Sequence, residues 1–183
     1  TAPHILPIYA TSSFVFDDID QGTEIFKNIE SGHAYSRYAN PTVDTVATKI
    51  ASLETHGMGQ DATAVMTSSG MSAISTLMLG VLKAGDKILT QGNLYGGTTE
   101  LLKGVLGQFG VETLFTNLKD LDGVESLLRS DDRIKMLYCE TPANPTLACV
   151  DIAALANMSH QYGAYCAIDN TFPTPLLQQP FLY

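Results

Sequence analysis

The stretch YCAIDNTFPTP, residues 165–175, is apolar without alternation up to Ile168 and then turns polar at Asp169, Asn170 and Thr171. A strand with water on one face alternates, whereas one that is apolar throughout is covered on both faces, as in a parallel sheet held between helical layers. Working outward, strand-like runs recur at 62–66, 87–90, 111–115 and 134–139, with helical patterns at 42–54, 72–82, 98–109, 121–129 and 152–162. This alternation predicts an α/β fold: a three-layer, mostly parallel sheet with helices on both faces. Upstream, residues 1–41 carry scattered Pro, Gly, Tyr and Ser with one short helical stretch at 20–29. They read as an N-terminal arm reaching a neighbouring subunit, ahead of a domain portion at 42–183.

Bulk composition frames this reading. A chain of 183 residues, 45% hydrophobic and 16% charged, is long enough for one sizeable core. The formal net charge of -9 argues against nucleic acid or an anionic membrane as partner, since both are held by clustered cations. Cys139, Cys149 and Cys166 form no C-x-x-C pair, and His4, His33, His56 and His160 have no ligand spacing, so no metal site is expected. A reducing, cytoplasmic setting fits. No apolar run has the length of a membrane span, and the opening residues lack a signal-peptide layout. The chain starts at Thr1 without Met, which leaves the true N-terminus open.

Open parallel sheets bind ligands beyond the carboxyl ends of their strands. The polar clusters fall there: Thr67-Ser68-Ser69-Gly70, Asn93-Leu94-Tyr95-Gly96-Gly97-Thr98, Glu140-Thr141-Pro142-Ala143-Asn144-Pro145 and Asp169-Asn170-Thr171. In TSSGMSA, residues 67–73, a helix start offers free N–H groups to an anion, and Gly70 permits close approach. A Ser N-cap with a plain Gly turn is an equal reading. In YSRYANPT, residues 35–42, Arg37 between two tyrosines suits a phosphate, although a solvated arginine in a turn is the simpler alternative. Tyr95 either stacks on a flat ligand or is structural. A carboxylate at a buried strand end needs a cation or several donors, so Asp169 calls for a positive partner. One ligand meets all four demands: a flat ring with a protonatable nitrogen and a phosphate tail, pyridoxal phosphate.

These segments, together with Ser68-Ser69-Gly70-Met71 and Glu140-Thr141-Pro142-Ala143-Asn144-Pro145-Thr146, resemble the Cys/Met-metabolism family of pyridoxal-phosphate enzymes. That family includes cystathionine γ-synthase, cystathionine lyases, methionine γ-lyase and O-acetylhomoserine sulfhydrylase. Five motifs occur in the family's order along nearly the whole chain. The resemblance implies the large domain of fold-type I and a set of roles. Tyr35 and Arg37 would reach a neighbour's cofactor phosphate, with Gly70 and Met71 as backbone donors to the phosphate of their own subunit. Tyr95 would cover the ring and transfer protons, Asn144 would partner the phenolic oxygen, Asp169 the ring nitrogen, and Glu140 and Thr171 would line the site. A homodimer or homotetramer is expected.

The family's Ser-x-Thr-Lys stretch, whose lysine forms the Schiff base, has no counterpart here, nor do its substrate-carboxylate arginine and C-terminal domain. Lys27, Lys49, Lys83, Lys87, Lys103, Lys119 and Lys135 read as surface charges. The chain is therefore expected to be the N-terminal part of one roughly twice as long. For that parent the resemblance implies elimination or replacement at the γ or β carbon of a sulfur amino acid or an activated homoserine ester. Methionine γ-lyases of the family usually carry Cys where this chain has Gly97, which favours the synthases, sulfhydrylases or cystathionine γ-lyases, while the ETPANP form is shared with methionine lyases. The other class of reading is a non-catalytic scaffold that lacks the lysine.

Overall fold

The computed structural model describes residues 4–27 and 32–183. The chain divides into two compact units, Thr1–Met66 and Thr67–Tyr183.

The first unit contains α1 (Ile19–Phe26) and α2 (Pro41–Glu54). Each starts at a residue suited to it: Asp18 accepts from the Gln21 N–H, and Asn40 from the Thr42 N–H with Pro41 in the first turn, where its missing donor is not needed. Of the helical stretch expected at 20–29, the last two residues lie outside the described ones. Around these helices the chain is zipped locally. Ser13 bridges Tyr35 antiparallel, the Phe14 N–H donates to Ala34 O at 3.1 Å, and the Ser36 N–H to Ser12 O at 2.9 Å. The strand expected at 62–66 is not formed. A strand exists only by pairing, and this run joins no ladder among the described residues; its Val65 is 83% exposed.

The second unit carries the sheet. Its strands are β1 (Lys87–Gln91), β2 (Glu112–Thr116), β3 (Ile134–Glu140) and β4 (Tyr165–Asp169), in the order β2-β1-β3-β4, all parallel. Helices α3 (Gly70–Val81) and α4 (Gly96–Glu100) pack on one face, where Met78, Leu101, Leu102 and Leu106 meet Ile88, Met136 and Tyr138. Helices α5 (Leu121–Ser130) and α6 (Ile152–Gln161) cover the other, where Val124, Leu128 and Leu155 meet Leu89, Leu137 and Cys139. The chain reverses direction along the sheet after β2, and right-handed crossovers require that reversal to move the connecting helix to the opposite face. The three-layer fold expected from unbroken apolar strands is the fold observed. Two short elements, α7 (Thr174–Leu177) and a 3₁₀ turn at Pro180–Leu182, were not anticipated.

Two departures have local causes. The helix expected at 98–109 begins earlier and changes pitch, continuing from α4 through a π turn at Leu101–Val105 into a 3₁₀ turn at Leu106–Phe109. Burial of Leu101, Leu102 and Leu106 holds the run against the sheet, while Gly104 and Gly107 lower the cost of leaving α geometry. It stops at Gly110, whose φ of 77° only glycine adopts freely. Lys87, expected at the surface, is 8% exposed. Its ammonium lies 2.7 Å from Glu112 and 3.1 Å from Asp131, a pairing created when the starts of β1, β2 and β3 come together. Beside it the β1–β3 register slips by one residue between Lys87 and Ile88, which lets Ile134 and Leu137, three apart, share one core.

Candidate functional site

Strands β1 and β3 lie side by side, yet their outgoing segments lead to helices on opposite faces, α4 and α6. A crevice opens at such a switch point. A cavity of about 390 Å³ sits here, within the size range of small-molecule sites. Its walls include Ser69, Gly70 and Met71 at the start of α3, Tyr95 after β1, Glu140, Pro142 and Asn144 after β3, and Asp169, Thr171 and Phe172 after β4.

At the α3 end, Ser69 caps the helix by accepting from the Ser72 N–H at 3.1 Å, and the Ser72 hydroxyl answers by accepting from the Ser69 N–H at 2.9 Å. This box satisfies the third helical N–H, while helix geometry leaves those of Gly70 and Met71 without an intrahelical acceptor. A Cβ added at Gly70 meets nothing within 4 Å, so the backbone borders open space. The two readings of TSSGMSA are thus both present: a true cap, and two donors left over on the cavity wall.

Across the cavity, Asp169 ends β4. Its Oδ2 accepts from the Tyr138 hydroxyl at 3.1 Å, and its Oδ1 from the Thr171 N–H at 3.1 Å and the Thr171 hydroxyl at 2.6 Å. Three donors hold the carboxylate, and lone-pair capacity is left for a further one. Burial, and then the neighbouring Asp169 charge, push the Tyr138 phenol far above its ordinary range, so it acts as a donor at any ordinary pH. Sequence reasoning missed Tyr138. A Tyr within an otherwise aliphatic buried strand was the available signal, because a buried hydroxyl demands a partner.

Between these walls, Tyr95 is half exposed. A Cβ at Gly97 would lie 2.8 Å from the Tyr95 ring and 3.0 Å from the Met71 sulfur, so the ring rests against a position that tolerates no side chain unless it shifts. Asn144 lines the opposite loop. Ser69, Ile74, Pro142 and Phe172 complete the wall; of these, Ile74 belongs to none of the motifs read from sequence. Of the expected site residues, Gly70, Met71, Tyr95, Glu140, Asn144, Asp169 and Thr171 share this cavity. Tyr35 and Arg37 belong to the first unit, where the exposed Arg37 guanidinium lies over the Tyr35 ring at 5.2 Å and the Tyr38 ring at 5.3 Å. Arg37 makes no ion pair with an acidic side chain among the described residues. Also among the described residues, no cluster fit for a metal occurs and no helix is long and apolar enough to cross a membrane.

The chain is similar to solved and characterised proteins over nearly all of its length. It is 43% identical over 176 residues to an L-methionine gamma-lyase of Fusobacterium nucleatum subsp. polymorphum, covering 96% of this chain and 43% of that one. It is 40% identical over 173 residues to an O-succinylhomoserine sulfhydrylase of Pseudomonas aeruginosa, covering 94% of this chain and 41% of that one. A Campylobacter jejuni structure assigned to the O-acetylhomoserine (thiol)-lyases, carrying N'-pyridoxyl-lysine-5'-monophosphate, superposes with a TM-score of 0.85 at 32% identity, covering 97% of this chain and 42% of that one. The chain thus spans less than half the length of these relatives. The family model for the Cys/Met metabolism PLP-dependent enzymes matches residues 1–183, and the chain belongs to that family.

Proposed function

We propose that the protein carrying this chain binds pyridoxal phosphate in the β1–β3 crevice and uses it for elimination or replacement at the γ carbon of a sulfur amino acid or an activated homoserine ester. The observation that carries this reading is the Asp169 carboxylate, fixed by Tyr138 and Thr171 on the wall of a cavity that also presents the free N–H groups of Gly70 and Met71. The donor set fits the cofactor. When bound, the group supplies an electron-accepting ring that allows bonds beside the amino acid's α carbon to break.

The chain's own residues bind, orient and move protons. Asp169 would accept from the ring nitrogen and keep its proton in place, because a half-buried carboxylate beside it favours the charged form. The N–H groups of Gly70 and Met71 receive the phosphate, aided by the positive end of α3. Asn144 donates to the ring's phenolic oxygen, Thr171 steadies Asp169, and Phe172 keeps water from one side. Tyr95 covers the ring face, and its hydroxyl delivers the proton to the departing γ substituent. Tyr35 and Arg37 serve the phosphate of a neighbouring subunit, so residues 1–41 act as an arm and the working unit is at least a dimer.

Two branches remain within one chemistry. The methionine γ-lyase relatives favour elimination from a sulfur amino acid. The sulfhydrylase relatives favour a thiol replacing the ester of homoserine. Purified full-length protein, titrated with pyridoxal phosphate, is expected to gain an absorbance band that Asp169→Asn weakens by about tenfold in affinity. Equal affinity in the two proteins refutes the assignment. Product analysis with methionine, cystathionine and an acylated homoserine plus thiol identifies the branch.

A further inference from the structure

Glu140 ends β3 at the centre of the sheet, 6% exposed, and makes no ion pair among the described residues. Its two carboxylate oxygens are divided between two different loops. Oε2 accepts from the Tyr95 N–H at 2.7 Å and Oε1 from the Asn144 N–H at 2.7 Å. Both are short, as charge-assisted bonds are. The residue's carbonyl oxygen accepts from the Gln91 side-chain amide at 2.9 Å, and that amide also donates to Asn93 O at 3.2 Å, tying the end of β1 into the same arrangement.

The placement matters because the segments after β1 and β3 diverge from the switch point toward opposite faces of the sheet. Tyr95 is the N-cap of α4 and has no side-chain capping bond, and the turn holding Asn144 is closed by Leu147 N–H to Ala143 O and Ala143 N–H to Ala148 O, with Asn93 donating its side-chain amide to the Thr146 hydroxyl at 3.1 Å. Glu140 is the side chain that ties the Tyr95 and Asn144 backbones to each other, and the Asn93–Thr146 contact joins the same two segments at a second point. Burying a carboxylate without a cation is unfavourable for stability alone, which makes this an expensive way to staple two loops unless their separation matters.

We propose that Glu140 is a positioning residue: one carboxylate fixes the distance between the backbones of Tyr95 and Asn144 and so sets the width of the slot that receives the cofactor ring. This rests on the pyridoxal-phosphate reading of the cavity. Glutamine at 140 keeps the shape but offers one oxygen and one NH₂, so one loop faces a donor and is released. Aspartate, one methylene shorter, reaches only one loop.

The test uses the full-length protein with Glu140→Gln, Glu140→Asp and the control Asp169→Asn, each folded by far-ultraviolet circular dichroism. Pyridoxal phosphate affinity and the induced circular dichroism of the bound cofactor are read together, since the latter reports ring orientation. Both Glu140 variants are expected to lose affinity by about tenfold and to diminish the induced signal, as loss of a charge-assisted bond implies. Variants within about twofold of wild type and with unchanged dichroism, while Asp169→Asn is impaired, overturn the proposal. If Asp169→Asn binds normally, the cofactor reading fails instead, and hydrogen exchange judges Glu140 alone. The Tyr95 and Asn144 amides are expected to be protected in wild type and to exchange about tenfold faster in Glu140→Gln. Equal rates overturn the positioning role of Glu140. Should neither Glu140 variant fold, unprotected Tyr95 and Asn144 amides in wild type overturn it, and protected ones support it.

Discussion

The Tyr138 hydroxyl meets Asp169 at 3.1 Å from inside a strand where the residue is only 2% exposed. Replacing it by Phe keeps the ring's packing and removes one of the three donors that hold the carboxylate. Loss of one buried hydrogen bond corresponds to about 1 kcal/mol, and here it also frees Asp169 to rotate away from the cavity. Tyr138→Phe is therefore expected to fold with a thermal midpoint within a few degrees of wild type, and to bind pyridoxal phosphate about fivefold more weakly. Unchanged affinity by titration would show that Thr171 alone orients the acid. The thiols of Cys139, buried, and Cys166, half-buried, offer no comparable chemistry. Burial pushes the Cys166 thiol up to about 11 and Cys139 higher still, which leaves both as small apolar groups.

Among the elements, the amino ends of β1, β2 and β3 are joined by charge. Asp131 sits between Lys87 and Arg133, whose guanidinium meets it at 2.8 Å. Arg133 first and Lys87 second hold the Asp131 carboxyl well below its ordinary value of 3.8, while Glu112 and then Asp131 raise Lys87. A depressed acid stabilises the fold above its unfolded value and loses that contribution as pH falls through the folded one. A raised lysine stabilises below its unfolded value of 10.5 and loses that as pH rises. The network thus acts between these limits, and salt weakens it at its exposed edge. Urea midpoints of wild type and Asp131→Asn are expected to differ at pH 7 and to converge as pH falls below about 4. A difference that fails to shrink at all between about pH 5 and about pH 2 would mean that Asp131 acts through packing or its backbone contacts rather than its charge.

For the whole molecule, the proposed use of Arg37 by a neighbour makes a mixing experiment decisive. Arg37→Ala and Asp169→Asn subunits are each expected to be inactive alone. Refolded together, they are expected to regain up to about a quarter of wild-type activity, because a mixed dimer then contains one site with both residues intact. No recovery beyond either parent, in mixtures shown by mass to contain hybrids, would place Arg37 in its own subunit's site. The same experiment bears on the arm, since complementation requires residues 1–41 to reach across an interface.

Much of this could be read from residue order, because it depends on local rules. Unbroken apolar runs required a sheet covered on both faces, a Ser ahead of Gly70 offered a helix cap, and Asp169 at a strand end called for a cation or several donors. The run at 62–66 obeyed the same local rule and still formed no strand, since a ladder depends on a second segment that periodicity cannot name. Lys87 looked like a surface charge until strand order set it between two acids. Tyr138 and, for its bond to Tyr95, Glu140 belong to the same kind: these partners lie 31 and 45 residues away, and only the stacking of the strands brings them into contact. Propensity and patterning act over a few residues, whereas hydrogen bonds inside a cavity depend on distances that exist only once the sheet has closed.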